Sequence, residues 1–162
     1  VGPPWEEAQA PAGSIALVIE PGRAFGTGAH ATTRLCLELL QEVEPASLLD
    51  VGCGSGVLSV AAAKLGFEPV RAVDIDEVAL ETTRANAAAN GVSVDVRSEL
   101  GPASLAVMNI ALDVVEAMLP ELPVARAITS GYLERDEPRV DGWHRVQRTA
   151  RDGWAADLLV RD

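Results

Sequence analysis

Basic charge is what this sequence most lacks. Only 13 Lys and Arg stand against 24 Asp and Glu, a formal net charge of −11. Broad binding to a phosphate backbone needs a basic face, so direct nucleic-acid binding is not expected. The charge suits a small molecule or a basic protein partner, and equally plain solubility. Cysteine is nearly absent. Cys36 and Cys53 cannot build a disulfide framework or a four-thiolate zinc site. They fit reduced thiols of a cytoplasmic protein. The two histidines, His30 and His144, have no neighbouring cluster of ligand residues in the sequence, so no metal site is expected. No apolar run approaches the roughly 18 residues of a membrane span. Residues 1–7 lack the basic start and apolar core of a secretory signal. An initiator Met is also missing, which reads as trimming from a longer chain.

What is present suffices for one folded domain. The chain has 162 residues, 48% hydrophobic and 23% charged, enough to bury a core and too apolar for a disordered segment. Residues 1–13, rich in Pro, Ala and Glu, read as a linker or an irregular entry segment, with the domain over 14–162. Ser14 to Glu20 is a short apolar strand stopped by Pro21-Gly22. After a glycine-containing loop, Thr32 or Thr33 caps a helix reaching about residue 42, with Leu35, Cys36, Leu39 and Leu40 on one face.

An alternation follows. Strands are expected at Ser47 to Val51, Pro69 to Asp74, Val92 to Val96, Leu105 to Asn109 and Ala125 to Ser130. Helices are expected at Val57 to Leu65, Glu77 to Asn90 and about Leu112 to Leu119. The Ala-rich stretch from Ala85 to Ala89 reads as a good helix former and nothing more. Residues 132–141 are polar and at best weakly helical. Trp143 to Thr149 and Trp154 to Arg161 read as strands joined by a hairpin turn at Ala150-Arg151-Asp152-Gly153. The implied fold is α/β: a mostly parallel sheet with a C-terminal antiparallel hairpin.

The strongest motif is Asp50-Val51-Gly52-Cys53-Gly54-Ser55-Gly56, between an expected strand and an expected helix. Glycine permits positive φ and lets a ligand approach the backbone without meeting a Cβ. Asp74 stands at the tip of the next strand, where a carboxylate can accept from both hydroxyls of a ribose. The glycine spacing departs from the dinucleotide fingerprint and no Gly-Lys-Ser/Thr follows, so neither a pyrophosphate loop nor a P-loop is indicated. A dehydrogenase or an inactive relative remains the alternative. The order of these elements resembles the first motif of class I S-adenosylmethionine-dependent methyltransferases, with a Rossmann-like sheet.

A second block narrows the resemblance. Glu20-Pro21-Gly22-Arg23-Ala24-Phe25-Gly26-Thr27-Gly28-Ala29-His30-Ala31-Thr32-Thr33-Arg34-Leu35-Cys36-Leu37 is similar to the signature of the bacterial PrmA family, which methylates ribosomal protein L11. The family has an Asp where this chain has Glu20. Read alone, Gly26-Thr27-Gly28 is a flexible turn ahead of a helix whose first N–H groups can face a carboxylate. Phe25 suits either a lid or the core, and His30 suits ordering of the loop. Met108-Asn109-Ile110-Ala111 stands at the end of the fourth strand. It matches the family's A-N-I-L-A at Asn109 and Ile110, but not at Met108 or Ala111.

The resemblance implies that S-adenosylmethionine contacts Thr27, Thr33, Asp50, Gly52, Gly54, Gly56, Asp74, Ile75 and Asn109. It also implies that Asn109 is catalytic, its side-chain carbonyl and a neighbouring backbone carbonyl accepting from the target amine. An amine with an ordinary pKa near 10.4 must first lose a proton, which burial favours. No dedicated base is visible. The implied substrate is lysine or amino-terminal nitrogen of ribosomal protein L11. The alternatives are a small-molecule or other protein methyltransferase on the same domain, and a non-catalytic cofactor-binding module. Oligomeric state is not indicated. The family carries an additional N-terminal recognition domain, so either that domain has been removed from this chain or the chain is a short relative with another substrate.

Overall fold

The structure is a computed structural model that describes residues 1–2, 10–20 and 28–162. Its elements follow the apolar spacing of the sequence. They are α1 (Ala31–Glu42), β1 (Leu48–Val51), α2 (Val57–Lys64), β2 (Val70–Val73), α3 (Glu77–Ala89), β3 (Asp95–Arg97), β4 (Leu105–Asn109), α4 (Leu112–Met118), β5 (Arg126–Leu133), β6 (Trp143–Arg151) and β7 (Trp154–Arg161). One seven-stranded sheet runs β3-β2-β1-β4-β5-β7-β6. The first five strands pair in parallel, and β7 pairs antiparallel with both β5 and β6. The expected mostly parallel sheet with an antiparallel hairpin is therefore present. Asp152 and Gly153 make its turn with φ of 53° and 79°, as a two-residue type I′ turn requires.

Strand alternation sends side chains to two layers. On one face Leu48, Leu105, Val107, Ile128 and Ala156 pack with Leu35, Leu39 and Leu40 of α1 and Val60 of α2. Leu80 of α3 lies on Ala72 of β2. On the other face Leu49, Val51, Ala106, Met108, Ala127 and Leu159 pack with Val115 of α4 and Leu119. Each fully buried Leu contributes about 1.5–3 kcal/mol from desolvation, so α1 is held by its face and not by propensity.

The same alternation puts Asp50 and Asn109 on the face of α1 and α2. Chain progression reverses between β1 and β4, the position where open α/β sheets leave a crevice at their carboxyl ends.

Four local expectations need correction. Ser14 to Glu20 joins no sheet among the described residues, where its ladder contact is a single parallel bridge between Gly2 and Val18. Its backbone pairs instead with Asn86 of α3 and with Asn90, the residue that caps that helix. The cap of α1 is His30, whose Nδ1 accepts from Thr32 N, whereas Thr32 and Thr33 lie within the first turn. The third strand begins at Asp95 and not at Val92, because Val92 N still donates to Ala87 O in the helix stop. The fifth strand continues to Leu133 through a bulge between Ser130 and Tyr132, so the polar stretch opens as strand. Gly2, inside the 1–13 stretch, donates to Leu17 O and accepts from Ile19 N.

The antiparallel flank carries a buried ionic network. Asp157 of β7 has a fully buried side chain and accepts from Arg148 Nε at 3.0 Å and from Tyr132 Oη at 2.8 Å. Arg148 also donates to the backbone carbonyls of Glu134 and Asp136, tying the segment after β5 to the hairpin. Burial pushes the Tyr132 phenol far up, and the Asp157 carboxylate adds to it, so Tyr132 stays a donor.

Candidate functional site

The crevice is built first from the loop after β1. Gly52, Gly54 and Gly56 take φ of 75°, 55° and 79°, where a side chain would be strained. Gly52 and Cys53 both donate to Val73 O at the end of β2. A Cβ on Gly52 would meet Ile110 Cγ2 at 2.7 Å, and one on Gly56 would meet Thr83 Cγ2 at 2.7 Å. Ile110, just after β4, and Thr83 of α3 thus press on the loop from two sides and keep Gly52 and Gly56 bare.

Asp74 follows β2 and closes the loop's far side. Its Oδ2 accepts from Gly54 N at 3.0 Å and its Oδ1 from Asp76 N at 3.0 Å. A carboxylate offers about four lone-pair sites, so each oxygen keeps one for a further donor. Ile75, next in the chain, is fully exposed. A bare apolar side chain beside a half-committed carboxylate fits a ligand with a flat apolar ring and neighbouring hydroxyls.

Asp50 occupies a different place from Asp74. It is 1% exposed, beneath the loop, and accepts from Ser59 Oγ at 2.6 Å. Burial pushes its carboxyl up from 3.8 to about 6, against the lowering by Ser59's hydroxyl and backbone N–H. Asp50 therefore ties β1 to α2 and supports the loop from below. Burial likewise pushes Cys53 up to about 12 and Cys36 higher still, so both stay thiols.

The opposite wall is α1 with the end of β4. Thr33 is buried, and Asn109 Nδ2 donates to its Oγ1 at 3.4 Å. That contact turns the amide so that Oδ1 accepts no hydrogen bond among the described residues. Ile110 N donates to Ser130 O. A Cβ built on Gly131 (φ 106°) would lie 2.2 Å from Ile110 O. The bulge glycine therefore leaves that carbonyl room beside Asn109. Together these groups can accept hydrogen bonds from a donor brought to the end of β4.

Of the residues named from the sequence, the structure gathers Gly52, Gly54, Gly56 and Asp74 at one loop, with Ile75 beside it. Thr33 and Asn109 meet at the other wall. Asp50 is sealed beneath. Thr27 and Phe25 lie outside the described residues. His30 caps α1 and meets Trp154 edge-on at 5.0 Å between ring centroids.

Sequence reasoning missed Thr83, Asn86, Asn90 and Gly131. The available signal was Asn86 and Asn90, one helical turn apart on an otherwise Ala-rich helix. Among the described residues no three His, Cys, Asp or Glu side chains group as a metal site, and no helix is long and apolar enough to cross a membrane.

Comparison with known proteins is consistent across sequence and fold. The family model "Ribosomal protein L11 methyltransferase (PrmA)" matches residues 1–160. A ribosomal protein L11 methyltransferase of Symbiobacterium thermophilum is 41% identical, covering 99% of this chain and 59% of the relative. One from Deinococcus radiodurans is 51% identical over 63% of this chain and 38% of its own length. The chain spans little more than half of the first two curated relatives, 59% and 56%. The crystal structure of a ribosomal protein L11 methylase from Lactobacillus delbrueckii superposes with a TM-score of 0.85 at 28% identity, covering 98% of this chain and 92% of that one. An rRNA methylase from Escherichia coli shares the fold alone, with a TM-score of 0.63 at 17% identity over 83% of this chain and 68% of that one.

Proposed function

Because the chain belongs to the PrmA family of class I methyltransferases, we propose that it is the catalytic domain of an S-adenosylmethionine-dependent protein methyltransferase. Its acceptor in this reading is an amino group of ribosomal protein L11. The observation that carries the reading is the pairing, at one crevice, of the bare glycine loop closed by Asp74 with Asn109 across from it.

The residues fit S-adenosylmethionine. Asp74 has lone pairs left for the two ribose hydroxyls, and the exposed Ile75 side chain suits the face of the adenine. The first turn of α1, at Thr33, suits the methionine carboxylate, since helix-start N–H groups favour anions. Gly52, Gly54 and Gly56 allow close approach to the loop, and Thr27 belongs with this set by the family signature. Asp50 acts through the loop it supports. When bound, the cofactor supplies a methyl group already activated on a sulfonium.

The chain's own work is at the acceptor nitrogen. Asn109 Oδ1 and the Ile110 carbonyl accept N–H bonds from a neutral amine and aim its lone pair. Thr33 holds the Asn109 amide, and Gly131 gives the Ile110 carbonyl room. Exclusion of water from the crevice lowers the amine's pKa, so the reactive neutral form is populated. The net charge of −11 suits a basic protein acceptor, and the free thiols of Cys36 and Cys53 suit the cytoplasm.

The test is incubation of the protein with labelled S-adenosylmethionine and purified L11, read by intact mass. Whole-methyl increments on L11 are expected. Asp74→Ala should weaken cofactor binding roughly 10- to 100-fold, and Asn109→Ala should mainly depress turnover, by a similar factor. Methylation of another protein or of a small amine, with L11 untouched, would overturn the acceptor. Absence of any binding of S-adenosylmethionine or its demethylated product would overturn the cofactor.

A further inference from the structure

Helix α3 reaches the glycine loop with two side chains one turn apart. Thr83 Oγ1 donates to Gly54 O at 3.1 Å, and Asn86 Nδ2 donates to the next carbonyl, Ser55 O, at 2.8 Å. Asn86 is 2% exposed, and both N–H groups and the oxygen of its amide are engaged. Its second N–H goes to Glu20 O at 2.9 Å, and its Oδ1 accepts from Glu20 N at 2.9 Å. The side chain thus pairs with Glu20 as a neighbouring strand would, and reaches the loop with the donor left over.

One turn on, Asn90 repeats half of this arrangement. It pairs with Val18 in the same two-bond manner, at 2.9 and 2.7 Å, but its remaining donor returns to its own helix at Asn86 O. The two asparagines therefore hold the same extended segment, and only Asn86 also holds the loop.

Resting on the reading of this loop as the cofactor site, we propose that Asn86 is a positioning residue for cofactor binding. With Thr83 it fixes the peptide orientations of Gly54 and Ser55 and anchors them to the segment at Glu20. Loop carbonyls left without these donors would turn to satisfy themselves elsewhere, and the bare glycines offer little resistance to such rotation. Preorganisation of the loop is then what Asn86 contributes, and its loss is felt as affinity and not as chemistry.

The design of α3 supplies its own control. Asn86→Leu should raise the dissociation constant and KM for S-adenosylmethionine roughly tenfold or more, with kcat at saturation within about threefold. Asn90→Leu should lower the thermal midpoint comparably and leave that affinity within about twofold. Thr83→Val, which keeps shape and removes only the hydroxyl, should weaken affinity by about threefold and covers the case in which Asn86→Leu does not fold. Equal loss of affinity in the Asn86 and Asn90 variants would overturn the proposal, as would unchanged affinity in both Asn86→Leu and Thr83→Val.

Hydrogen exchange at Gly54 to Gly56 separates this from the cofactor reading. Should the parent protein bind no S-adenosylmethionine, the cofactor reading fails on its own. Faster exchange of the loop in Asn86→Leu or Thr83→Val, but not in Asn90→Leu, still supports the positioning role. Unchanged exchange in both loop variants refutes it.

Discussion

The glycine loop and the antiparallel flank of the sheet are fastened by different means. At the loop the ties are backbone amides, Asn86, Thr83 and the buried Ser59–Asp50 pair, the ion pairs of that flank (Arg71–Asp95 and Arg84–Glu77) lie away from the buried interior, and among the described residues Asp74 is held by two N–H groups and no cation. Around β5, β7 and β6 a buried carboxylate is gripped by an arginine, a second arginine at 3.8 Å and a phenol. The difference teaches what each flank is for. A crevice that receives a charged, hydroxyl-bearing ligand, as proposed above for this one, must keep hydrogen-bonding capacity in reserve. The antiparallel flank has no such duty and satisfies its charges internally.

The largest effect should come from breaking the ionic flank. Arg148→Met leaves Asp157 buried with the Tyr132 hydroxyl and, as its one remaining cation, the more distant Arg145, and should cost about 4 kcal/mol in urea unfolding. Cofactor affinity of the fraction still folded should not change; a parallel loss of affinity would show that the flanks are not independent. Gly131→Ala tests the seam between them. Its Cβ would strike the Ile110 carbonyl, so a loss of about 3 kcal/mol is expected, with kcat falling more than cofactor affinity.

Next is Asp50→Asn on the crevice side. The folded carboxyl is raised from 3.8 to about 6. The folded state therefore holds its proton more tightly than the unfolded chain, and Asp50's contribution is fully present below about pH 4 and lost as pH rises through about 6. The variant has no such term. Its stability relative to the parent should grow by about 2 kcal/mol between those limits and then level off, measured by urea midpoints across pH. A difference that stays flat with pH would refute the buried-acid assignment. The smallest effect expected is none: neither Cys36 nor Cys53 should react with a thiol reagent until the protein unfolds, since both are buried and held protonated.

The sequence made the parallel half legible because apolar runs bounded by glycine and acid carry strand, turn and helix in one pattern. Leu105 to Asn109 and Trp154 to Arg161 match the structure to the residue. Ser14 to Glu20 did not, since apolar alternation reports an extended backbone and says nothing of its partner, here two amide side chains 66 to 72 positions away. His30 is not legible as a cap, because its ring nitrogen substitutes for a hydroxyl only in one geometry. At the site, Gly52, Gly54, Gly56 and Asp74 were readable from spacing alone. Asn86 and Gly131 were not, because their roles are set by which distant backbone carbonyl each one meets.

The placing of β7 has a consequence for biogenesis. It is the last of the seven strands to leave the ribosome, yet it fills the gap between β5 and β6. Until it emerges, a nascent chain carries β5 with one side unpaired and β6 without a docking site. Premature termination upstream of Trp154 would leave that sticky margin permanently bare, a ready substrate for chaperones or for self-association.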